Sequence, residues 1–327
     1  MSDLTRAQEV EYQDFEIEVS ECRCGYLEVR VLNSPFYRPR APFKAPYSPQ
    51  QFQKLMERLA AKPGLEGPQP FSNPEAKAKE IGAELFEALF PDEIAANLRE
   101  SNAVLAGVSH GGYRAGLRLR IAFHNVSDHP EIFGLPWELL YDPKKKEFLA
   151  LGGRVLVVRY QDAPRAALKA REGRALRVLS MTPRAKEDEH TFDREEAQSL
   201  LDKAVRLEPF VQVRRLREPT LNGLRRKLLQ DPCEVLHIFG HGAFRESDAT
   251  GYLVFENEDG SRDYVSGQQL ADHLQDIREL RLVVLVACKG GRLPRKNGQD
   301  PYSGVATALV QAGLPAAVAM QQNISVT

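Results

Sequence analysis

The chain has 327 residues, long enough for two domains and a sizeable core. Hydrophobic residues make up 43% of it and charged residues 27%, the balance of an ordinary soluble globular protein. Lys plus Arg number 44 against 45 Asp plus Glu, so the overall charge offers no pull towards nucleic acid or an acidic membrane, and neither is expected as a partner.

Four cysteines, Cys22, Cys24, Cys233 and Cys288, are too few and too scattered for a disulfide scaffold, which points to a reducing, cytoplasmic setting. Cys22 and Cys24 form a lone C-x-C without a second pair. A tetrahedral metal site needs four ligands, so no metal is expected there. The start, Met1-Ser2-Asp3-Leu4-Thr5-Arg6, lacks the basic-then-apolar layout of a signal peptide. No apolar run approaches the roughly 18 residues that cross a bilayer.

In chain order, Phe15–Val19 and Tyr26–Val31 alternate apolar and polar residues and predict two half-exposed strands around a turn at Gly25. The Pro-rich passage from Pro35 to Pro49 reads as loop. Helical spacing follows at Phe52, Leu55, Met56 and Leu59, and a second loop runs from Pro63 to Pro74. Helices are predicted over Glu75–Leu89 and Asp92–Leu105, and strands over Leu117–Phe123 and Val155–Val158. The only tryptophan, in Pro136-Trp137-Glu138-Leu139-Leu140, reads as a packed anchor between domains with its N–H satisfied. This first domain is assigned to residues 1–165. The polar stretch from Gln161 to Gly173 marks the division, with 166–173 as linker and 174–327 as a second domain.

The second domain alternates. Strands are predicted at Leu176–Met181, Val211–Val213, Val235–Phe239, Leu282–Val286 and Ala316–Met320. Helices are predicted at Arg194–Leu207 with Asp193 as cap, Thr220–Leu229, Gln268–Gln275 and Tyr302–Gln311. A hairpin with a turn at Asp259-Gly260 separates the third strand from the helix at Gln268. Strands alternating with helices of this length indicate crossovers and a mainly parallel sheet flanked by helices. The basic clusters Arg214-Arg215-Leu216-Arg217 and Arg225-Arg226-Lys227 read as solvated strand ends and helix faces.

Two apolar runs stop at a reactive side chain: Val235-Leu236-His237-Ile238-Phe239-Gly240-His241-Gly242 and Leu282-Val283-Val284-Leu285-Val286-Ala287-Cys288. As neighbouring parallel strands they would bring His241 and Cys288 to the carboxyl edge, where open α/β sheets bind ligands. A thiol attacks as thiolate, and an imidazole can take its proton and return it to the leaving amine. His237 shares the face of His241 but lies deeper in the strand, and it reads as structural. Cys233 sits at the opposite strand end. Gly107-Val108-Ser109-His110-Gly111 spells the G-x-S-x-G elbow, but a helix precedes it and a strand follows, the reverse of what that elbow needs. It reads as a glycine-rich loop.

His241 precedes Cys288 by 47 residues, close to the roughly 50-residue spacing and Ala-Cys context of caspases. With Leu135-Pro136-Trp137-Glu138-Leu139-Leu140 upstream, the chain resembles the CHAT family of bacterial caspase-like and separase-like (clan CD) proteins. The likeness runs from about Phe15 to the last residue. It implies an α/β caspase-like catalytic domain, preceded by an α+β or pseudo-caspase-like companion domain without a nucleophile. It also implies a cysteine endopeptidase that works through a Cys288–His241 dyad and needs no cofactor. The N–H groups of Gly242 and Cys288 would form the oxyanion hole. A protein substrate and an upstream sensor or activator, within bacterial defence or cell death, are the implied partners. The alternative is an inactive interaction module of the same fold. Family members carry further helical sequence after the last strand, so a truncated or processed carboxyl end is expected. Two residues before the cysteine, caspases carry Gln and metacaspases Asp, whereas this chain has Val286. Neither specificity therefore transfers. Asp248, Asp300 and Glu246 are the loop carboxylates that would line a substrate pocket with Val286 and favour a basic residue.

Overall fold

The computed structural model describes residues 10–22, 25–48, 50–51, 54–55, 58, 69–107, 109–110, 113–124, 132, 135–160, 174–188, 194–206, 208–245, 250–287 and 301–319. The chain divides into two compact units, Met1–Gln161 and Asp162–Thr327.

The first unit is built on β1 (Val10–Glu21), β2 (Leu27–Asn33), β3 (Arg40–Pro42), α1 (Pro74–Leu89), α2 (Asp92–Ala106), β4 (Ser109–His110), β5 (Tyr113–His124), β6 (Tyr141–Asp142), β7 (Glu147–Phe148) and β8 (Val155–Tyr160). Six of these strands form one mixed sheet in the order β3-β2-β1-β5-β4, with β8 also pairing β5. β1 and β8 run parallel to β5, while β2 and β4 are antiparallel to their neighbours. The two-residue period of β1 separates its faces. Phe15, Ile17 and Val19 are fully buried with Ile81, Leu85 and Leu89 of α1 and Ile94 and Leu98 of α2. On the other face Asp14 takes hydrogen bonds from Arg118 and Arg120, and the Arg118 contact holds its carboxyl below the usual range. α1 begins where the Asn73 side chain accepts from the Ala76 N–H, with Pro74 at the first helical position.

Trp137, in the 3-10 turn Trp137–Leu139, is fully buried and donates its indole N–H to the Ile132 carbonyl at 3.0 Å. It packs with Phe43 and Phe123 in the core of this unit. Full burial fits the packing role expected of the only tryptophan. Ser109 and His110, expected in a loop, form a short strand antiparallel to β5 after helix α2. A helix-to-strand order cannot raise Ser109 on a strand-to-helix elbow.

The second unit contains β9 (Leu176–Met181), α3 (Arg194–Val205), β10 (Val211–Arg215), α4 (Leu221–Gln230), β11 (Val235–Arg245), β12 (Thr250–Glu256), β13 (Arg262–Ser266), α5 (Gly267–Leu274), β14 (Leu282–Ala287), α6 (Pro301–Gln311) and β15 (Ala316–Ala319). β10, β9, β11, β14 and β15 form a parallel sheet in that order. The antiparallel pair β12–β13 continues from the far half of β11. Leu236, Ile238, Val283 and Leu285 are buried with α4 (Leu224, Leu228), α5 (Leu270, Leu274) and α6 (Val305, Leu309). α4 is capped by Thr220, and α5 by a full capping box between Ser266 and Gln269. The Asp193 cap expected for α3 and the end of the last strand at Met320 lie outside the described residues.

β11 does not stop at His241, as the sequence suggests. It runs on to Arg245 against β12, with His241 opposite Val254 and Gly242 opposite Leu253. Gly240 is no strand breaker. A Cβ there would stand 3.2 Å from Cγ of Pro183, so glycine permits the close passage of the segment after β9.

Cys22 is disulfide-bonded, and Cys24 lies outside the described residues. Among the described residues, no helix is long and apolar enough to cross a membrane, and no group of three His, Cys, Asp or Glu side chains could hold a metal.

Candidate active site

His241 stands on β11 at the point where the strand passes from the parallel sheet into the hairpin. The parallel ladder between β11 and β14 runs from Val235 opposite Leu282 to Gly240 opposite Ala287. The next residues along the two strands are His241 and Cys288. Cys288 lies outside the described residues, as do Asp248, Asp300 and Glu246. Gly242, assigned to the oxyanion hole, is buried within the antiparallel ladder opposite Leu253. Val286, opposite Phe239, packs against Phe239 and Ala197 of α3.

His241 is 5% exposed, and burial pushes its pKa below the ordinary value. Two charges act on it in opposite senses: Asp188 raises the pKa and Arg262 lowers it. Asp188 is 4% exposed, in the turn Lys186–Asp188 that follows β9. It accepts from Arg262 Nε of β13 at 3.1 Å and from a second guanidinium nitrogen of the same side chain. The same turn is tied to the hairpin twice more. Lys186 N–H donates to the Gly260 carbonyl at 2.9 Å, and Arg184 N–H to Glu256 Oε1 at 2.7 Å. Arg194 of α3 also pairs with Glu256. The turn after β9 and the β12–β13 hairpin are thus clamped together beside the histidine.

Sequence reasoning found no acidic residue near the dyad, and Asp188 is the one it missed. Its Arg262 partner is 74 positions away, and no local pattern marks such a pair. His237 lies opposite Ser180, its Nδ1 3.4 Å from the Ser180 hydroxyl, and burial lowers its pKa. Cys233 is buried, contacts the Val235 carbonyl through Sγ at 3.3 Å, and has its pKa pushed up to about 11, chiefly by burial. A thiol so placed stays protonated and inert at neutral pH.

The two histidines carry a pH consequence. Both have folded pKa values below the unfolded value of about 6.5, so the unfolded chain binds more protons as pH falls. The stability they contribute is complete above that value and is lost as pH falls through their folded values. The urea midpoint of the second unit's unfolding is expected to drop between pH 7.5 and 5. The drop should be shallower in the His237→Asn, His241→Asn double variant; an equally steep fall would assign it to the carboxylates instead.

No curated protein matches the chain. The sequence does match the CHAT domain over residues 79–327, well over half the chain and beginning inside α1 of the first unit. With helices flanking its sheets in the manner of a caspase-like fold, the chain belongs to the CHAT domain family of caspase-like cysteine peptidases.

Proposed function

We propose that the protein is a cysteine endopeptidase in which Cys288 attacks the scissile carbonyl of a protein substrate and His241 handles the proton. The observation that carries this reading is the parallel register of β11 and β14, which pairs Gly240 with Ala287 one residue before the histidine and the cysteine. Adjacent strands run about 4.8 Å apart, a spacing that suits a thiol and an imidazole sharing a proton. His241 accepts the thiol proton, the thiolate forms a tetrahedral adduct, and the imidazolium returns the proton to the leaving amine. Water then hydrolyses the acyl-enzyme. The Gly242 and Cys288 N–H groups are assigned to the oxyanion, and Asp188 to the field that keeps the imidazole basic against its burial. An upstream sensor or activator, and work in the bacterial cytoplasm within defence or cell death, complete the proposal and rest on family resemblance.

The burial of His241 favours a second reading, an inactive interaction module of the same fold. Labelling decides between them. A peptidyl electrophile selective for thiolates is expected to modify Cys288, and to lose that modification in the His241→Ala variant. Equal labelling of the variant, or none of either chain, would support the inactive module.

A further inference from the structure

The basic cluster at Arg214–Arg217, read from sequence as a solvated strand end, borders a cavity. Its volume is about 740 Å³, and its walls include Thr182, Arg194, Gln198, Asp202, Arg215 and Arg217. The parallel register fixes which face of the sheet it occupies. Arg215 of β10 pairs with Ser180 of β9, and Ser180 with His237 of β11. Side chains paired across a parallel sheet share a face, and alternate residues of one strand share it too. Val213, Arg215, Ser180, His237 and His241 therefore all stand on the side covered by α3, which supplies Arg194, Gln198 and Asp202. The cavity opens at the carboxyl ends of β9 and β10, the same edge to which the dyad is assigned.

Its lining is positive and only partly neutralised. Three arginines face one aspartate. Arg194 is engaged by Glu256, and Arg215 pairs with Asp202 across an exposed contact, 46% and 51% accessible, of the kind that contributes little. Arg217 makes no ion pair or hydrogen bond among the described residues. Neither does Thr182, although only 4% of it is exposed, nor the amide of Gln198. The Thr182 hydroxyl and the Gln198 amide thus stand as hydrogen-bonding groups beside an unmatched guanidinium, a lining that suits an acceptor of hydrogen bonds that carries negative charge.

We infer that this cavity binds a carboxylate side chain of an acidic peptide segment. Arg217 and Arg215 supply the charge, and Thr182 and Gln198 the hydrogen bonds. The inference rests on the peptidase reading for the identity of that peptide as substrate. At strand spacings of about 4.8 Å and a rise of about 3.3 Å per residue, the cavity lies about five extended residues or fewer from His241. A substrate crossing the sheet edge would thus be held by an acidic residue a few positions from the scissile bond. This site is separate from the pocket beside the nucleophile and makes no demand on the residue cleaved.

The test needs no catalysis, so it stands apart from the dyad's. The full chain carrying Cys288→Ala is titrated into fluorescein-labelled peptides of one length, Glu-rich or with each Glu replaced by Gln, and anisotropy is read. The Glu-rich peptide is expected to bind at least tenfold more tightly. Arg217→Glu should remove that preference and Arg217→Lys should keep most of it; Arg217 is exposed, so both variants are expected to fold. Equal binding of the two peptides, or a preference untouched by Arg217→Glu, would overturn the inference. Displacement of the Glu-rich peptide by millimolar inorganic phosphate, with no such effect from equal chloride, would overturn the peptide in favour of a free anion. If binding holds while Cys288 resists labelling in the unmodified chain, the cavity stands and the peptidase reading falls.

Discussion

In the proposed mechanism, Cys288→Ala is expected to abolish cleavage of a proteome-derived peptide library, and His241→Ala to slow it by about 10²–10⁴, the usual contribution of a positioned acid–base group. The difference follows from the chemistry. No acyl-enzyme forms without sulfur, whereas a thiol near its ordinary pKa of about 8.5 still presents a small thiolate fraction without the imidazole. Asp188→Asn separates proton handling from field effects. Losing the carboxylate removes what raises the His241 pKa and leaves Arg262, which lowers it, without its partner. The imidazole remains neutral at pH 7, so the rate there should change by less than about tenfold, while the acid limb of kcat/KM moves to lower pH. Peptide products are counted by mass spectrometry across pH 5–9. An Asp188→Asn chain as slow as His241→Ala, with its acid limb unmoved, would mean that Asp188 supports the turn after β9 rather than tuning the histidine.

Strand and helix order was legible because each element follows a single period. β9, β10, β14 and β15 lie where runs of aliphatic residues meet turn residues, and α4 begins at Leu221, within one residue of the helix start read from the sequence. The path of β11 was not legible. Gly240 and Gly242 look like punctuation, yet Gly240 answers the approach of Pro183 from the segment after β9, a contact that no local window contains. Asp188 was hidden for the same reason, since its meaning depends on Arg262 from another strand. Trp137 was legible as a packing residue, because side-chain size predicts burial without naming the partners. The arginines at the end of β10 show the converse. A charge run reads as solvated until the fold sets a cavity beside it.

The largest stability effect is expected in the first unit, where Asp142 is 1% exposed. Burial works to raise its pKa, yet Arg99 and the N–H groups of Lys145 and Lys144 overcome it and hold the carboxyl below the ordinary range. Arg99 donates from two nitrogens at 2.8 and 2.9 Å, a forked geometry that lysine cannot reproduce. Arg99→Ala strands a buried carboxylate on two backbone donors, a loss of about 3–5 kcal/mol. In a unit of this size that corresponds to a fall of roughly 10 °C in Tm. Arg99→Met with Asp142→Leu removes both charges and should cost less than Arg99→Ala alone, reduced only by loss of the turn that Asp142 organises through Lys144 and Lys145. Differential scanning calorimetry of the full chain reads the first unit's transition in all three proteins. A fall of under 2 °C in Arg99→Ala would show that water reaches the carboxylate. A double variant worse than the single one would show that the turn, rather than the ion pair, is what Asp142 secures.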